Sequence, residues 1–374
     1  MSLYEVQSRD LADLAVRERR RRLLPIEGRD FSSNDYLGLA AAPELRAAVS
    51  AALARGVPVG SGGSRLLRGN HPEHAALEQE AAAFFGRETA LYFSSGYAAN
   101  AALFATLPQR GDLVVHDALV HASAHEGMRL GRAECRAAHH NDVQAFDEAI
   151  GAWRGAGGRG RVWIAVESLY SMDGDLAPLD DLAALARRHG AVLVIDEAHA
   201  TGVFGPQGRG LAAALAGRED VVTLHTCGKA LGCEGALIAG PAIVREFLIN
   251  RGRGFIFSTA PSPLMAAAVR AALEIVAAED ARRAALASLV DMARAALEPL
   301  GATPGRSQIV PLVLGEDARA MTVAAALQQA GFDVRGIRPP TVAPGSARLR
   351  ISITLNIGRA DVEALAATLK EVLA

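Results

Sequence analysis

The chain is poor in features that mark several protein classes. Three cysteines among 374 residues, Cys135, Cys227 and Cys233, form no C-x-x-C pair and leave an odd count, which argues against a disulfide framework or a structural zinc site. Charge of one sign is also lacking. With 39 basic and 41 acidic side chains the formal charge is −2, far from the basic excess that nucleic acid or an anionic membrane surface requires. Acidic small molecules stay open as local partners. The N-terminus has no apolar signal core and no run is uniformly apolar over a bilayer's width, so a soluble cytoplasmic protein is expected. Internal repeats and low-complexity linkers are missing too, although the Gly-rich stretch 155–160 reads as a mobile loop.

What is present points to an α/β enzyme. Half of the residues are hydrophobic (50%) and the length exceeds what one core usually supports, so two domains of unequal size are expected. Apolar strand candidates at 90–93, 113–116, 162–166, 191–195, 221–224 and 236–239 alternate with helical patterns at 72–85, 178–189 and 241–249. That alternation predicts a mainly parallel sheet covered by helices on both faces. Beyond it, a long Ala-rich helical stretch through Glu279, continuing in a second helical pattern to about Leu297, leads to strand candidates at 309–314 and 348–355 and helical patterns at 318–330 and 359–373, a smaller α+β C-terminal domain. The expected division is an N-terminal arm at 1–43 without an obvious core, a large domain at 44–258, and a linking helix with the small domain at 259–374.

The chemistry-bearing residues stand at the end of one strand candidate. The run Ala191-Val192-Leu193-Val194-Ile195 ends in Asp196-Glu197-Ala198-His199, and Lys229 follows among small residues in Thr226-Cys227-Gly228-Lys229-Ala230-Leu231-Gly232. An acid, an imidazole and a lysine in this layout suit pyridoxal 5'-phosphate (PLP): the lysine holds the aldehyde as an imine, and the carboxylate keeps the ring nitrogen protonated. Lys229 or Asp196 alone would be an ordinary loop lysine or strand-end acid. Ser94-Ser95-Gly96-Tyr97-Ala98-Ala99-Asn100 follows another strand candidate and opens a helical pattern, so its amides and the helix dipole would face an anion, or simply form a serine-capped turn. Other motifs fail. Gly60-Ser61-Gly62-Gly63-Ser64-Arg65 lacks the last glycine and the strand-to-helix setting of a dinucleotide loop. Gly228-Lys229-Ala230 lacks the hydroxyl of a P-loop, and His125-Glu126-Gly127-Met128-Arg129 has no second imidazole, so no metal is expected. The arginines at 19–22 read as a solvated helix end.

Taken together, Ser32-Ser33-Asn34-Asp35-Tyr36-Leu37-Gly38-Leu39, Gly60 to Arg65, Ser171-Met172-Asp173-Gly174-Asp175, Asp196 to Gly202 and Thr226-x-Gly228-Lys229 resemble the α-oxoamine synthases over nearly the whole chain. These are PLP enzymes of fold type I that join an amino acid to an acyl thioester with loss of carbon dioxide. The resemblance implies that Lys229 carries the cofactor and moves the α-proton, that His121 stacks on the ring, and that Ser171 and His199 meet its phenolic oxygen. It further implies Asp196 at the ring nitrogen, and Gly96, Tyr97 and Thr226 near the phosphate. Ser258 and Thr259 would reach the neighbour's phosphate in a homodimer. Arg350 and Asn34 would meet the amino-acid carboxylate, while Arg21, or its neighbours Arg20 and Arg22, and Thr341 would meet the acyl substrate. The stretch Ile337 to Arg350 resembles the biotin-pathway branch, which condenses L-alanine with a pimeloyl thioester, on CoA or acyl carrier protein, to 8-amino-7-oxononanoate. Arg65-Leu66-Leu67-Arg68-Gly69-Asn70, expected near the acyl entrance, departs from the Gly-rich continuation of some members of that branch. Other members using glycine or serine with another acyl-CoA, or a catalytically silent relative, are the alternatives.

Overall fold

A computed structural model of the chain describes residues 3–374 and divides into two compact units. The larger comprises Leu37–Tyr170 and Leu176–Arg283. Its centre is a seven-stranded sheet made of β1 (Thr89–Phe93), β2 (Leu113–Asp117), β3 (Glu134–Ala138), β4 (Val162–Glu167), β5 (Val192–Asp196), β6 (Val221–Thr226) and β7 (Ala236–Gly240). The spatial order is β1-β7-β6-β5-β4-β2-β3, and β7 alone in this sheet runs antiparallel to both its neighbours. The remaining pairs are parallel, as the alternating pattern predicts.

The strands read as unbroken apolar runs because each feeds two cores. Along β4, Val162, Ile164 and Val166 enter one cluster with Phe146, Ile150 and Leu185, while Trp163 and Ala165 enter the other with Leu103, Phe104 and Leu248. A period of two thus buries every residue when helices cover both faces. Edge strand β3, with the sequence Glu134-Cys135-Arg136-Ala137-Ala138, has no such signature and escapes sequence reasoning; it is half solvated and held by parallel pairing with β2.

The smaller unit comprises residues 1–36 (of which those from Leu3 are described), Ser171–Asp175 and Ala284–Ala374. Ile309–Gly315, Ala347–Ser352 and Arg335–Ile337 form a three-stranded antiparallel sheet, accompanied by helices Asp317–Gln329 and Arg359–Leu373. This division differs from the expected one at both joints. The two helical patterns of the linking stretch are the helices Pro263–Ala278 and Asp280–Leu297, as expected, but the residues up to Arg283 cluster with the large unit. The expected arm is exposed along its helix Glu5–Val16, but Phe31, Tyr36, Leu37 and Leu39 are fully buried. Their apolar spacing, interrupted by Ser32-Ser33-Asn34-Asp35, matches neither a helix nor a strand, so the sequence pattern conceals them.

The segment expected at the acyl entrance is partly scaffold. Arg65 is 8% exposed; its Nη1 donates to Glu78 at 2.8 Å and its Nε to Asn70 Oδ1 at 2.8 Å, while Leu66, Leu67 and Arg68 face solvent. Glu78 also accepts from the Tyr92 backbone amide and from Arg245, tying the helix Pro72–Phe85 to the sheet. Removing one side of a buried ion pair leaves the other charge uncompensated. Glu78→Gln is therefore expected to lower the unfolding free energy by about 3 kcal/mol in urea titrations, whereas a loss below about 1 kcal/mol, the range of solvated pairs, would show that Arg65 does not depend on it.

Candidate active site

The parallel strands β2, β4, β5 and β6 all end in polar residues, Asp117, Glu167, Asp196 and Thr226. In open α/β sheets ligands collect outside these carboxyl ends. Here a cavity of about 180 Å³ forms there, with Lys229, His199, Asp196, His121, Thr226 and the turn at Gly96 and Tyr97 on its walls. Ten residues are expected from the sequence at the cofactor, and seven of them, Gly96, Tyr97, His121, Asp196, His199, Thr226 and Lys229, line this one cavity; Ser171, Ser258 and Thr259 do not.

Each side chain is held by an identifiable local device. Lys229 follows β6 in a tight loop closed by Gly232 N–H donating to Lys229 O and Cys233 N–H to Cys227 O, at 2.8 and 2.9 Å. Gly232 has φ +63, and a Cβ there would lie 2.4 Å from Ala40 N, so the loop geometry demands glycine. Lys229 Nζ sits 2.6 Å from His199 Nε2. Asp196 accepts from its own turn through Ala198 N–H at 2.9 Å and from Asn100 Nδ2 at 2.7 Å. Ser95 caps the helix Gly96–Thr106 by accepting from Ala98 N–H at 3.1 Å, so the first-turn amides of Gly96 and Tyr97 lie at the positive end of the helix dipole beside the cavity. His121 is itself the cap of the helix Ala122–Leu130, its Nδ1 accepting from Ser123 N–H at 3.2 Å. Partial burial, and secondarily Lys229, hold its pKa below the ordinary histidine value against the opposing pull of Asp196.

Sequence reasoning passed over Asn100, Ser123 and Glu197. Glu197 is fully buried, and its two carboxylate oxygens accept Leu211 N–H at 2.9 Å and Ala212 N–H at 2.7 Å, anchoring the turn that presents Asp196 and His199. Gly210, at φ +95, makes this possible, since a Cβ there would fall 2.1 Å from Glu197 Oε2. Beneath it Thr201 Oγ1 donates to Glu197 O and meets His225 Nδ1, both at 2.8 Å, with His225 stacked on Phe85. The run of polar residues in Asp196-Glu197-Ala198-His199-Ala200-Thr201 is the signal that points to Glu197.

Ser258 and Thr259 do not join the cavity. They are exposed between helices Arg253–Ile256 and Pro263–Ala278. The remaining expected residues belong to the smaller unit, where they form two pairs. Arg350 is 6% exposed; its Nη2 donates to Asn34 Oδ1 at 3.0 Å and to Tyr36 Oη at 3.3 Å, its Nη1 to Ser352 Oγ at 2.8 Å, and its Nε to Ser171 O at 2.6 Å. Arg21 Nη2 donates to Thr341 Oγ1 at 3.3 Å, whereas Arg20 offers its carbonyl to Arg338.

In the large unit an amine-bearing lysine, a carboxylate, an imidazole and a helix N-terminus share one cavity. That donor set fits PLP: the amine for its aldehyde, the carboxylate for its ring nitrogen, and the amides for its phosphate. The model of the family "Aminotransferase class I and II" matches residues 27–369. An 8-amino-7-oxononanoate synthase of Anaeromyxobacter dehalogenans is 48% identical over 348 residues, 92% of this chain and 86% of that protein. One of Burkholderia thailandensis is 43% identical over 391 residues, 99% of this chain and 98% of its own. Among solved structures, a serine palmitoyltransferase of S. paucimobilis with a bound PLP–myriocin aldimine superposes with a TM-score of 0.90 at 26% identity, covering 100% of this chain and 98% of that one. The 8-amino-7-oxononanoate synthase of Francisella tularensis gives 0.77 at 25% identity, over 92% and 97% of the two chains.

The clamp on this turn carries a pH signature. Burial lifts the Glu197 carboxyl from 4.5 to about 7, against the lowering effect of the Ala212 and Leu211 amides. Between those values the folded protein holds a proton that the unfolded chain has released, so this group's contribution to stability falls as pH rises from 4.5 to about 7. Relative to a Glu197→Gln variant, the unfolding free energy of the native sequence is expected to decline by about 3 kcal/mol across that window in urea titrations. A pH-independent difference would contradict the raised value.

Proposed function

The chain belongs to the class I and II aminotransferase family and, within it, to the PLP-dependent 8-amino-7-oxononanoate synthases, and from that membership we propose that it condenses L-alanine with a pimeloyl thioester, releasing carbon dioxide and 8-amino-7-oxononanoate. The observation that carries the reading is identity of 43% extending over 99% of the chain and 98% of the relative. The serine palmitoyltransferase likeness is greater in shape, at TM-score 0.90, but rests on 26% identity, so it speaks for the shared fold more than for the substrate.

PLP, when bound, supplies an electron sink for the carbanion left by loss of the α-proton or the carboxylate. The chain's residues do the rest. Lys229 is the base: its Nζ, against His199 Nε2, is placed to give up and take back a proton without leaving the cavity. Asp196 is assigned to the ring nitrogen. His121 lends a flat, neutral imidazole face to the ring, and Thr226 and the amides of Gly96 and Tyr97 receive the phosphate. Ser171 and His199 are assigned to the phenolic oxygen. In the smaller unit Arg350, its guanidinium already oriented by Asn34, Tyr36 and Ser352, is the partner for the amino-acid carboxylate, a task for a planar fork. Arg21 with Thr341 is assigned to the acyl thioester, carried on CoA or acyl carrier protein. The active unit is a cytoplasmic homodimer, each protomer lending Ser258 and Thr259 to its neighbour's phosphate.

Purified protein loaded with PLP is expected to change its visible absorbance on adding L-alanine and then to release carbon dioxide on adding pimeloyl thioester, and Lys229→Ala to lose both responses. Faster turnover with glycine or serine and a different acyl-CoA would transfer the chain to another α-oxoamine synthase activity, and protein that takes up no PLP would make it a silent relative. Arg350→Lys keeps the charge but not the fork and is expected to raise the KM for alanine about tenfold or more with a smaller effect on the acyl donor. Equal changes for both substrates would remove Arg350 from the carboxylate.

A further inference from the structure

Asn100 and Ser123 are buried polar residues that no part of the proposed chemistry uses, 3% and 0% exposed. Asn100 lies one turn inside the helix that opens at Gly96, and Ser123 lies on the helix that His121 caps. The two Nδ2 hydrogens of Asn100 are both engaged, one donated to Asp196 Oδ2 at 2.7 Å and the other to Ser123 Oγ at 3.1 Å. Because Ser123 N–H already donates to His121 Nδ1, that nitrogen is an acceptor, and the one hydrogen of the serine hydroxyl, 2.7 Å away, goes to it. We propose that Asn100 and Ser123 are positioning residues: they join Asp196 and His121 in one directional hydrogen-bond chain that fixes both groups in the geometry and protonation state that the cofactor site needs.

The direction of the chain follows from its donors. Ser123 N–H, which can only donate, also points at His121 Nδ1, at 3.2 Å. Nδ1 is thus an acceptor twice over, and the imidazole is neutral with its proton on Nε2. A proton on Nδ1 would oppose the amide and force the hydroxyl to turn. At the other end Asn100 presents N–H to Asp196, which suits a carboxylate and not a carboxylic acid hydrogen. The charged groups acting on His121 are Asp196 and Lys229, with His125 beside it on the same helix. Asp196 alone would favour the imidazolium, which would repel a protonated ring nitrogen. The chain therefore gives the carboxylate only donors and the imidazole a neutral tautomer in one small cavity. Burial without alternative solvent partners makes each link costly to lose.

The assignment rests on the PLP reading of the cavity, but its first test does not require the cofactor. In full-length protein with ¹⁵N-labelled histidine, with the His121 signals identified by their loss in His121→Gln, the native sequence is expected to show an acceptor Nδ1 and a protonated Nε2 at neutral pH. Ser123→Ala is expected to shift His121 toward mixed tautomers and to raise its titration midpoint. Asn100→Leu, which touches Asp196 and Ser123 but not the imidazole, is expected to perturb the same signals through Ser123. On titration with PLP both variants should bind about tenfold more weakly, the worth of one buried hydrogen bond. Unchanged His121 signals in both variants, or PLP affinities within about twofold of the native value, would overturn the chain. Should Asn100→Leu fail to fold, the His121 signals in Ser123→Ala decide it. Native protein that shows the expected tautomer but takes up no PLP would instead overturn the cofactor reading and, with it, the purpose assigned to the two residues.

Discussion

A carboxylate held by two donors at the end of a central strand is the constraint from which the rest of the large unit follows. Asp196 ends a central strand between β4 and β6, where its neighbours are apolar cores on both faces. Its oxygens need donors, and they come from two directions, the backbone of its own turn and the amide of Asn100. Once these are set, little freedom is left. The turn must be sharp enough to bring Ala198 N–H back, which swings His199 toward Lys229, and the helix starting at Gly96 must pass close enough to deliver Asn100. The same helix start then places its amides at the cavity. The polar wall is one mutually dependent object, with no member placed for itself alone.

Beneath it lies a second polar layer that the chemistry never touches. Glu197 points away from the cavity and fastens Leu211 and Ala212, Thr201 fastens Glu197 O, and His225 sits between Thr201 and Thr223. Burial keeps His225 well below the ordinary histidine value, with Arg87 acting in the same direction, and raises Glu197. Both shifts disfavour charge in this layer, which lies below the polar wall that faces the cavity. A site that must hold a charged ring gains from that separation: its fields arise from groups at its surface, and the layer beneath holds them in place through buried hydrogen bonds.

What could be read from the sequence follows from how far apart in the chain the cause and the effect lie. Asp196, His199 and the Lys229 loop sit within short motifs, and the two-core strands show as apolar runs, so the parallel sheet and the cavity's main residues were legible. Asn100 meets Asp196 across 96 positions and appears in sequence only as one polar residue in an Ala-rich helix. β3 carries no apolar signature because its pairing, not its burial, makes it a strand. The ambiguity among Arg20, Arg21 and Arg22 is of another kind. Four like residues in a row give no pattern, and only the backbone path separates Arg21, whose guanidinium meets Thr341, from Arg20, whose carbonyl meets Arg338.

The smaller unit is stitched from the two ends of the chain. Arg29 and Asp30 pair in parallel with Phe332 and Asp333, Phe31 O accepts Ser352 N–H, and Tyr36 O accepts Leu355 N–H. Everything between Leu37 and Arg283, apart from Ser171–Asp175, belongs to the other unit. During synthesis the first 36 residues therefore leave the ribosome ahead of every strand that will hold them, and the large unit has its full sequence before their partners are made. At elongation rates of roughly 5–20 residues per second, some 15 seconds or more separate Phe31 from its mate at Ser352. Over that interval the segment carrying Asn34 and Tyr36 is a tether whose mostly charged and polar composition, Arg17 to Arg22 above all, keeps it in water until the last sheet closes on it.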